Sequence, residues 1–346
     1  LQTYAPQTGP GDLPIVSPQF PGNPDLKPER GQELEVGFEA SIIKRIGIDF
    51  TYFDKHTKDA ILQRQSAPSS GFPNAQFVNI GRISNHGFEL GINANAVSRR
   101  SFTWDIGTSV STTTDHIDDM GGLPFITVVL PFHRNEAGYP IGALFSKIVR
   151  SATYDPATKK AVNAICDGGI NGDHPGGPDV PCASAPMLFN GTITPKISGA
   201  VNTTVGIGRF VKLHGMADFR KNYKIFDADL YNRCSAFGYC FGNVNPDQID
   251  PKELYVYQNG GPLTVTDAYQ RNASFWRLRE VSATFTGPVN WAQRVNASAV
   301  SLTIAGRNLH TWTPYPGLDP ENRSAIQTQN IAFDQAVTPA LAQFLT

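Results

Sequence analysis

The sequence predicts an all-β protein folded as an antiparallel up-and-down sheet, and three observations point there. Apolar and polar residues alternate with period two in segment after segment, which puts one set on each face of a strand. No stretch of comparably strong helical period is present. The 32 glycines and 26 prolines among 346 residues make about 17% of the chain, against a usual ~12%, so the chain is rich in turns.

Taken in order, the first strand is 32–43, where Leu34, Val36, Phe38, Ala40 and Ile42 fill one face and Glu33, Glu35, Gly37, Glu39 and Ser41 the other. In 46–63, Ile46, Ile48, Phe50 and Tyr52 alternate with Gly47, Asp49 and Thr51. In 76–97, Phe88, Leu90, Ile92 and Ala94 alternate with Glu89, Gly91, Asn93 and Asn95. In 101–116, Phe102, Trp104, Ile106 and Val110 face away from Thr103, Asp105, Ser109 and Ser111. Weaker or shorter patterns place strands at 141–154, 160–166 and 192–206. The pattern is plain again in 209–223, through Val211, Leu213, Ala217 and Phe219, and in 297–309, through Val300, Leu302 and Ile304. In 271–286 the phase slips around Arg279 and Glu280, the signature of a bulge. A weak pattern at 339–346 brings the count to about eleven strands.

The connections sort into two sizes. Short ones lie at Lys44 and Arg45, at 98–100, at 155–160, at Gly208 and Arg209, and at 287–295. Long ones span roughly 64–75, 117–140, 166–191, 224–270 and 310–338. Long and short take turns along the chain, which in an up-and-down sheet collects the long loops at one end. Transmembrane barrels show this asymmetry, and several strands reach the ~9–11 residues that a tilted membrane strand requires. A large soluble β protein is the competing reading of the alternation.

Composition bounds the class. A chain that is 40% hydrophobic with formal net charge −1 is not a disordered one, and its charge gives no reason to expect a nucleic-acid partner. No apolar run approaches the ~20 residues of a membrane helix. The chain opens at Leu1 without an initiator Met or a signal-like segment, so it reads as a fragment or a processed chain. Cys166, Cys182, Cys234 and Cys240 are even in number and sit in turn-rich stretches. Two short-range disulfides suit an oxidising compartment, and four free thiols are the alternative.

Residues 22–29 (GNPDLKPE) before an alternating strand resemble the barrel of TonB-dependent outer-membrane receptors. Residues 52–62 (YFDKHTKDAIL), 79–90 (NIGRISNHGFEL) and 136–145 (EAGYPIGALF) resemble the SusC/RagA branch, as do 274–281 (SFWRLREV) and 305–320 (AGRNLHTWTPYPGLDP) near the end. The resemblance implies a 22-stranded barrel of the bacterial outer membrane with a plug in its lumen. It implies energy from the TonB–ExbB–ExbD complex and a SusD-like lipoprotein lid over the outer mouth. The plug and TonB box precede the barrel in this family, so the chain reads as the C-terminal half of the barrel at 32–346, with 1–31 an extracellular loop. On this reading Leu34, Val36, Phe38 and Ala40 meet lipid, and Glu33, Glu35 and Glu39 face the plug and the wet lumen.

Chemistry-bearing residues are few. In 167–179 (DGGINGDHPGGPD), Asp167, Asn171, Asp173 and Asp179 offer the hard oxygen ligands that calcium takes, although the spacing is not that of an EF-hand and His174-Pro175 interrupts it. A solvated loop between Cys166 and Cys182 is the plainer reading. The carboxylates and His116 of 115–119 (DHIDD) read as a hydrated rim. No H-E-x-x-H, G-x-S-x-G or dinucleotide loop is present, and no enzyme is expected. Tyr239, Phe241, Tyr255 and Tyr257 lie in a long loop, where they either pack locally or meet substrate or lid. Basic pairs at Lys44-Arg45, Arg99-Arg100 and Lys159-Lys160 sit at short turns and read as solvated turns or as contacts to anionic headgroups. The leading expectation is a transporter for a bulky nutrient, oligosaccharide or peptide. The alternative is a soluble or cell-surface all-β module that binds glycan or peptide without transport.

Overall fold

The computed structural model describes residues 1–321 apart from 65, 129, 172 and 295, and beyond 321 only 333–334 and 343–345. Most of the predicted strands join one antiparallel sheet. We number its long strands β1 (Arg30–Ile42), β2 (Ile46–Arg64), β3 (Gln76–Arg99), β4 (Phe102–Asp119), β5 (Ile197–Ile207), β6 (Val211–Lys221), β7 (Phe275–Thr286) and β8 (Ser301–Trp312). Each pairs with its neighbours in chain order, and Gln343–Leu345 adds a ninth strand beside β8. The last predicted strand, 339–346, lies outside the described residues except for that segment.

The register lines the apolar positions up across the sheet. One row runs Phe38, Phe50, Leu90, Val110, Gly199 and Phe219. A second, nearer the short turns, runs Ile42, Ile46, Ala94, Ile106, Thr203, Gly215 and Val281. The opposite face carries Glu39, Asp49, Gly91, Ser109, Ala200, Asp218 and Arg277 in one row. A soluble sandwich would cover one of these faces with a second sheet. Here the apolar one is bare: Leu34, Val36 and Phe38 are 57–59% exposed.

The predicted bulge is present. The register shifts between Met216 and Ala217 against β7, leaving Arg279 as the extra residue. A slip of one residue reverses facing, so Arg277 before the bulge and Glu280 after it both lie on the polar face.

Two predicted strands are not barrel strands. Residues 141–154 break into Ala143–Ser146 and Val149–Asp155, which enter two different small sheets, and Lys160–Asp167 pairs only with Val149–Asp155 and Asp179–Pro181. Among the described residues the sheet therefore has nine strands rather than about eleven, and the turn at 155–160 is a hairpin within the excursion between β4 and β5. Alternation announces a strand but not its sheet. These segments are short, and parts of them are enclosed: Ala143–Ser146 is buried throughout, and Cys166 is 0% exposed.

That excursion and the one between β6 and β7 fold together into a cap at the long-loop end. Phe132, Leu144, Val149, Phe226, Val256 and Tyr269 share its core, and Phe132 stacks on Phe226 at 4.2 Å. The cap includes a helix, α1 (Pro251–Asn259), capped by the Asp250 carboxylate, which accepts from Lys252 N at 2.9 Å, with Pro251 in its first turn. Side-chain capping and a leading proline are favourable helix starts. At nine residues α1 is too short to show a strong period in sequence. Residues 1–31, expected as loop, contain a hairpin of Thr3–Thr8 and Pro14–Phe20.

Candidate functional site: the polar face, the staples and the outer cap

Glu33, Glu35 and Glu39 all lie on the polar face of β1. Glu33 pairs across to Lys55, whose Nζ sits 3.3 Å from its carboxylate, and Glu39 lies opposite Asp49. The arrangement is a hydrated wall of carboxylates, amides and hydroxyls beside the bare apolar one.

The quoted sequence segments meet in pairs. In 22–29, Asn23 donates to Phe77 O at 2.9 Å, and Lys27 N donates to Asn79 Oδ1 at 2.7 Å. Asn79, which opens the segment 79–90, donates in return to Lys27 O and Asp59 O, and Glu29 accepts from Ile61 N. The segment 136–145 docks on the outer end of β4. Ile117 N donates to Tyr139 O, Gly138 N donates to Ile117 O, and Ile141 N donates to the Asp115 carboxylate at 2.6 Å. Asp115 thus anchors the 136–145 segment to β4, and His116 pairs with Asp118 at 3.1 Å.

The two closing segments form the densest charge cluster on the polar face. Arg277 is 3% exposed. It donates to Asp319, to Glu321 at 2.7 Å and to Thr311 Oγ1 at 2.9 Å. Arg279 grips both oxygens of Asp218 at 2.7 Å and reaches Glu321 at 2.6 Å, and Arg220 lies 3.5 Å from Glu321. Fork-shaped guanidinium groups satisfy several carboxylates at once. The cluster ties residues 319–321 down onto β6 and β7. Tyr223 helps by donating to Pro320 O at 3.0 Å. Sequence reasoning found the two motifs but not their meeting, because a bulge and a folded-back loop bring them together.

The cysteines form two disulfides, Cys166–Cys182 and Cys234–Cys240, both in the cap. Asp167 is buried, and its carboxylate accepts from the backbone N–H of Gly169, Gly176 and Gly177 at 2.7–2.9 Å and from Arg150 at 2.7 Å. Arg150 also reaches Asp179 at 2.5 Å, while Asp173 pairs with His174 at 2.8 Å. Asn171 sits in the same loop with left-handed backbone, φ 56°. These bonds hold the Asp167 carboxyl below its ordinary range against the pull of burial. Arg150 supplies the positive charge in this loop. Among the described residues no three His, Cys, Asp or Glu side chains gather as a cation would need.

The four loop aromatics divide. Tyr257 is buried and stacks on Tyr269 at 5.8 Å, and Tyr255 packs against the same core. Tyr239 and Phe241 are each 60% exposed, flanking the Cys234–Cys240 bridge beside exposed Phe237 and Val244.

The cap also holds ionisable groups that sequence did not single out, among them the buried His133 and the half-buried Asp267. Burial pushes His133 down to about 4, and neither of its ring nitrogens has a hydrogen-bond partner among the described residues. It borders a cavity of about 310 Å³ between the cap and the outer ends of β2 and β3, with Ile61, Phe77, Asn135 and Ile193. Burial pushes Asp267 up to about 6, against hydrogen bonds from Val149 N and Ala268 N and the charge of Lys224.

Residues 2–170 match the family model described as TonB dependent receptor-like, beta-barrel. TonB-dependent receptor P3 of Formosa agariphila is 23% identical over 358 residues, which covers 93% of this chain and 34% of that protein. TonB-dependent receptor P26 of the same organism is 22% identical, over 87% of this chain and 32% of that protein. The chain therefore spans about a third of the length of the curated relatives it matches. Among solved structures, the RagAB peptide importer in its closed-closed state superposes with a TM-score of 0.78 at 18% identity, over 99% of this chain and 38% of that one. A structure of the RagAB peptide transporter gives 0.77 over the same shares. With the nine-strand sheet and its one-sided cap, these likenesses make the chain similar in fold to the β-barrel of TonB-dependent outer-membrane receptors, with the family model matching residues 2–170.

Proposed function

We propose that this chain forms the C-terminal part of the barrel of a SusC/RagA-type transporter that brings a bulky nutrient, peptide or oligosaccharide, through the outer membrane. The single observation that carries the reading is the two-faced sheet: a bare apolar surface across eight strands, and behind it a surface of charge and hydroxyls. Water cannot satisfy the backbone inside a bilayer, so a sheet crossing it must close on itself. Closure here calls for further strands beyond the nine described. The height is right for a membrane. From Phe102 to Thr112 is ten steps, roughly 33 Å along the strand at ~3.3 Å per residue. At a tilt of about 45° that is roughly 23 Å of height, against an apolar band of ~25 Å.

Leu34, Val36 and Phe38 then touch acyl chains, and Glu33, Glu35 and Glu39 surround the lumen and its plug. The cap stands outside the membrane, where the exposed Tyr239 and Phe241 are suited to meet a SusD-like lipoprotein lid or the cargo. The importer likeness favours peptide as cargo. Coupling to TonB–ExbB–ExbD belongs to residues outside this chain. The Asp167 loop stays a candidate for calcium only if the cation displaces Arg150.

The facing is tested by insertion. A cation on the lipid side near the midplane costs about 2–4 kcal/mol, whereas one on the lumen side meets water. Phe38→Arg is expected to impair assembly into outer membranes far more than Glu39→Arg, scored by heat-modifiable migration on gels. Equal insertion of the two variants refutes the facing.

A further inference from the structure

The four connections at the short-turn end carry cations and no carboxylates. Lys44 and Arg45 join β1 to β2, and Arg99 and Arg100 lie at the turn between β3 and β4. Arg209 lies between β5 and β6, and Arg294 ends the one-and-a-half-turn helix between β7 and β8. All six side chains are exposed. The nearest carboxylates, Asp49 and Asp105, belong to the polar face instead. Asp49 faces Glu39, and Asp105 accepts from Asn95 Nδ2 at 2.7 Å.

Just above the turns, on the apolar face, stand the exposed rings of Phe102, Trp104 and Phe285, with exposed Trp291 beside Phe285 and exposed Phe210 at the turn itself. Phe285 and Trp291 lie 6.0 Å apart, and the Arg209 guanidinium sits 5.7 Å from the Phe210 ring. Rings at this height mark the boundary between acyl chains and headgroups, where amphipathic side chains are favoured. The cations therefore sit one layer further out, level with lipid phosphates. The opposite end differs in kind, since there the chain folds into the disulfide-linked cap. Lys159 and Lys160, a third basic pair in the sequence, belong to that cap, where Lys159 O accepts from Gln258 Nε2.

We propose that the short-turn rim binds the headgroups of anionic phospholipid in the inner leaflet of the outer membrane. The proposal rests on the barrel reading above. The aromatic belt sets the depth of the barrel in the bilayer, and the six cations select charge at that depth. Attraction of this kind is additive and screened by salt, because each cation contributes separately within a Debye length of the surface.

The experiment uses the full-length protein reconstituted in phosphatidylethanolamine nanodiscs containing a minor fraction of phosphatidylglycerol. Lipid retained on the protein is then read by native mass spectrometry. Wild type is expected to enrich phosphatidylglycerol, and high salt to abolish the enrichment. Neutralising Lys44, Arg45, Arg99, Arg100, Arg209 and Arg294 to Gln should remove it, with a loss of up to about fivefold in affinity per cation. Lys159→Gln with Lys160→Gln should change nothing. Retention of phosphatidylglycerol by the sixfold variant at the wild-type level overturns the proposal, as does an equal loss in the cap control. Failure of wild type to insert, seen as absence of heat-modifiable migration, would instead count against the barrel reading itself.

Discussion

Replacing Arg277 with methionine removes three hydrogen bonds from the polar face and strands a carboxylate. Glu321 keeps Arg279 at 2.6 Å and Arg220 at 3.5 Å, so the damage falls on Asp319, which is 4% exposed. Removing one partner of a buried ion pair costs about 3–5 kcal/mol, chiefly through the uncompensated charge left behind. At 1.36 kcal/mol per tenfold, residues 315–321 should open roughly a hundred to several thousand times more readily. Hydrogen exchange on the full-length protein reads this directly at Glu321 N, which donates to Asp319 Oδ1 at 2.8 Å, and at Tyr315 N, bonded to Thr313 Oγ1 at 3.1 Å. The double variant Arg277→Met/Asp319→Leu should recover much of the loss, because two apolar groups desolvate at little cost. Wild-type exchange rates in the single variant would refute the reasoning, and so would faster opening in the double variant than in the single one.

The cap should weaken as pH falls through the window of His133. Its folded value of about 4 lies below the unfolded 6.5. The unfolded cap thus binds the extra proton, and stability present above pH 6.5 is lost towards pH 4, by roughly 3 kcal/mol at most. Asp267, raised to about 6 from 3.8, works in the opposite sense below pH 6. An Asp267→Asn variant should therefore melt with a steeper acid slope and His133→Phe with a flatter one, and unchanged slopes would dismiss both assignments. Opening the Cys166–Cys182 bridge, which spans 16 residues, should cost the cap about 3 kcal/mol by chain entropy while the heat-modifiable shift of the barrel persists. Tyr257→Ala should cost the cap core about 3–5 kcal/mol. Tyr239→Ala, at an exposed site, should leave cap melting untouched, which makes the pair a check on which loop aromatics pack and which are free to bind.

The strands of the barrel wall were legible in the sequence because a two-sided environment writes itself as alternation. Each of β1 to β4 turns apolar residues to one side and polar residues to the other, so every second residue reports its face. The bulge at Arg279 was legible for the same reason, as a slip in phase. The disulfides were legible as an even set of cysteines but not as a pairing. Which two thiols meet depends on the 3.8 Å steps of a folded loop, and sequence distance alone does not order them.

Only the tertiary structure decided where strands 143–155 and 160–167 belong, and hence that the wall has nine strands among the described residues with one large cap beside it. Those residues carry weaker patterns than the wall strands, yet they read as strands all the same, and the enclosure of Phe145 and Cys166 comes from chain far away in sequence. The same holds for the charge cluster. Arg277 and Asp319 stand 42 residues apart, and nothing local to either predicts the other. Periodicity records the medium on each side of a strand, whereas a contact across a folded-back loop is set by the path of the whole chain between its ends.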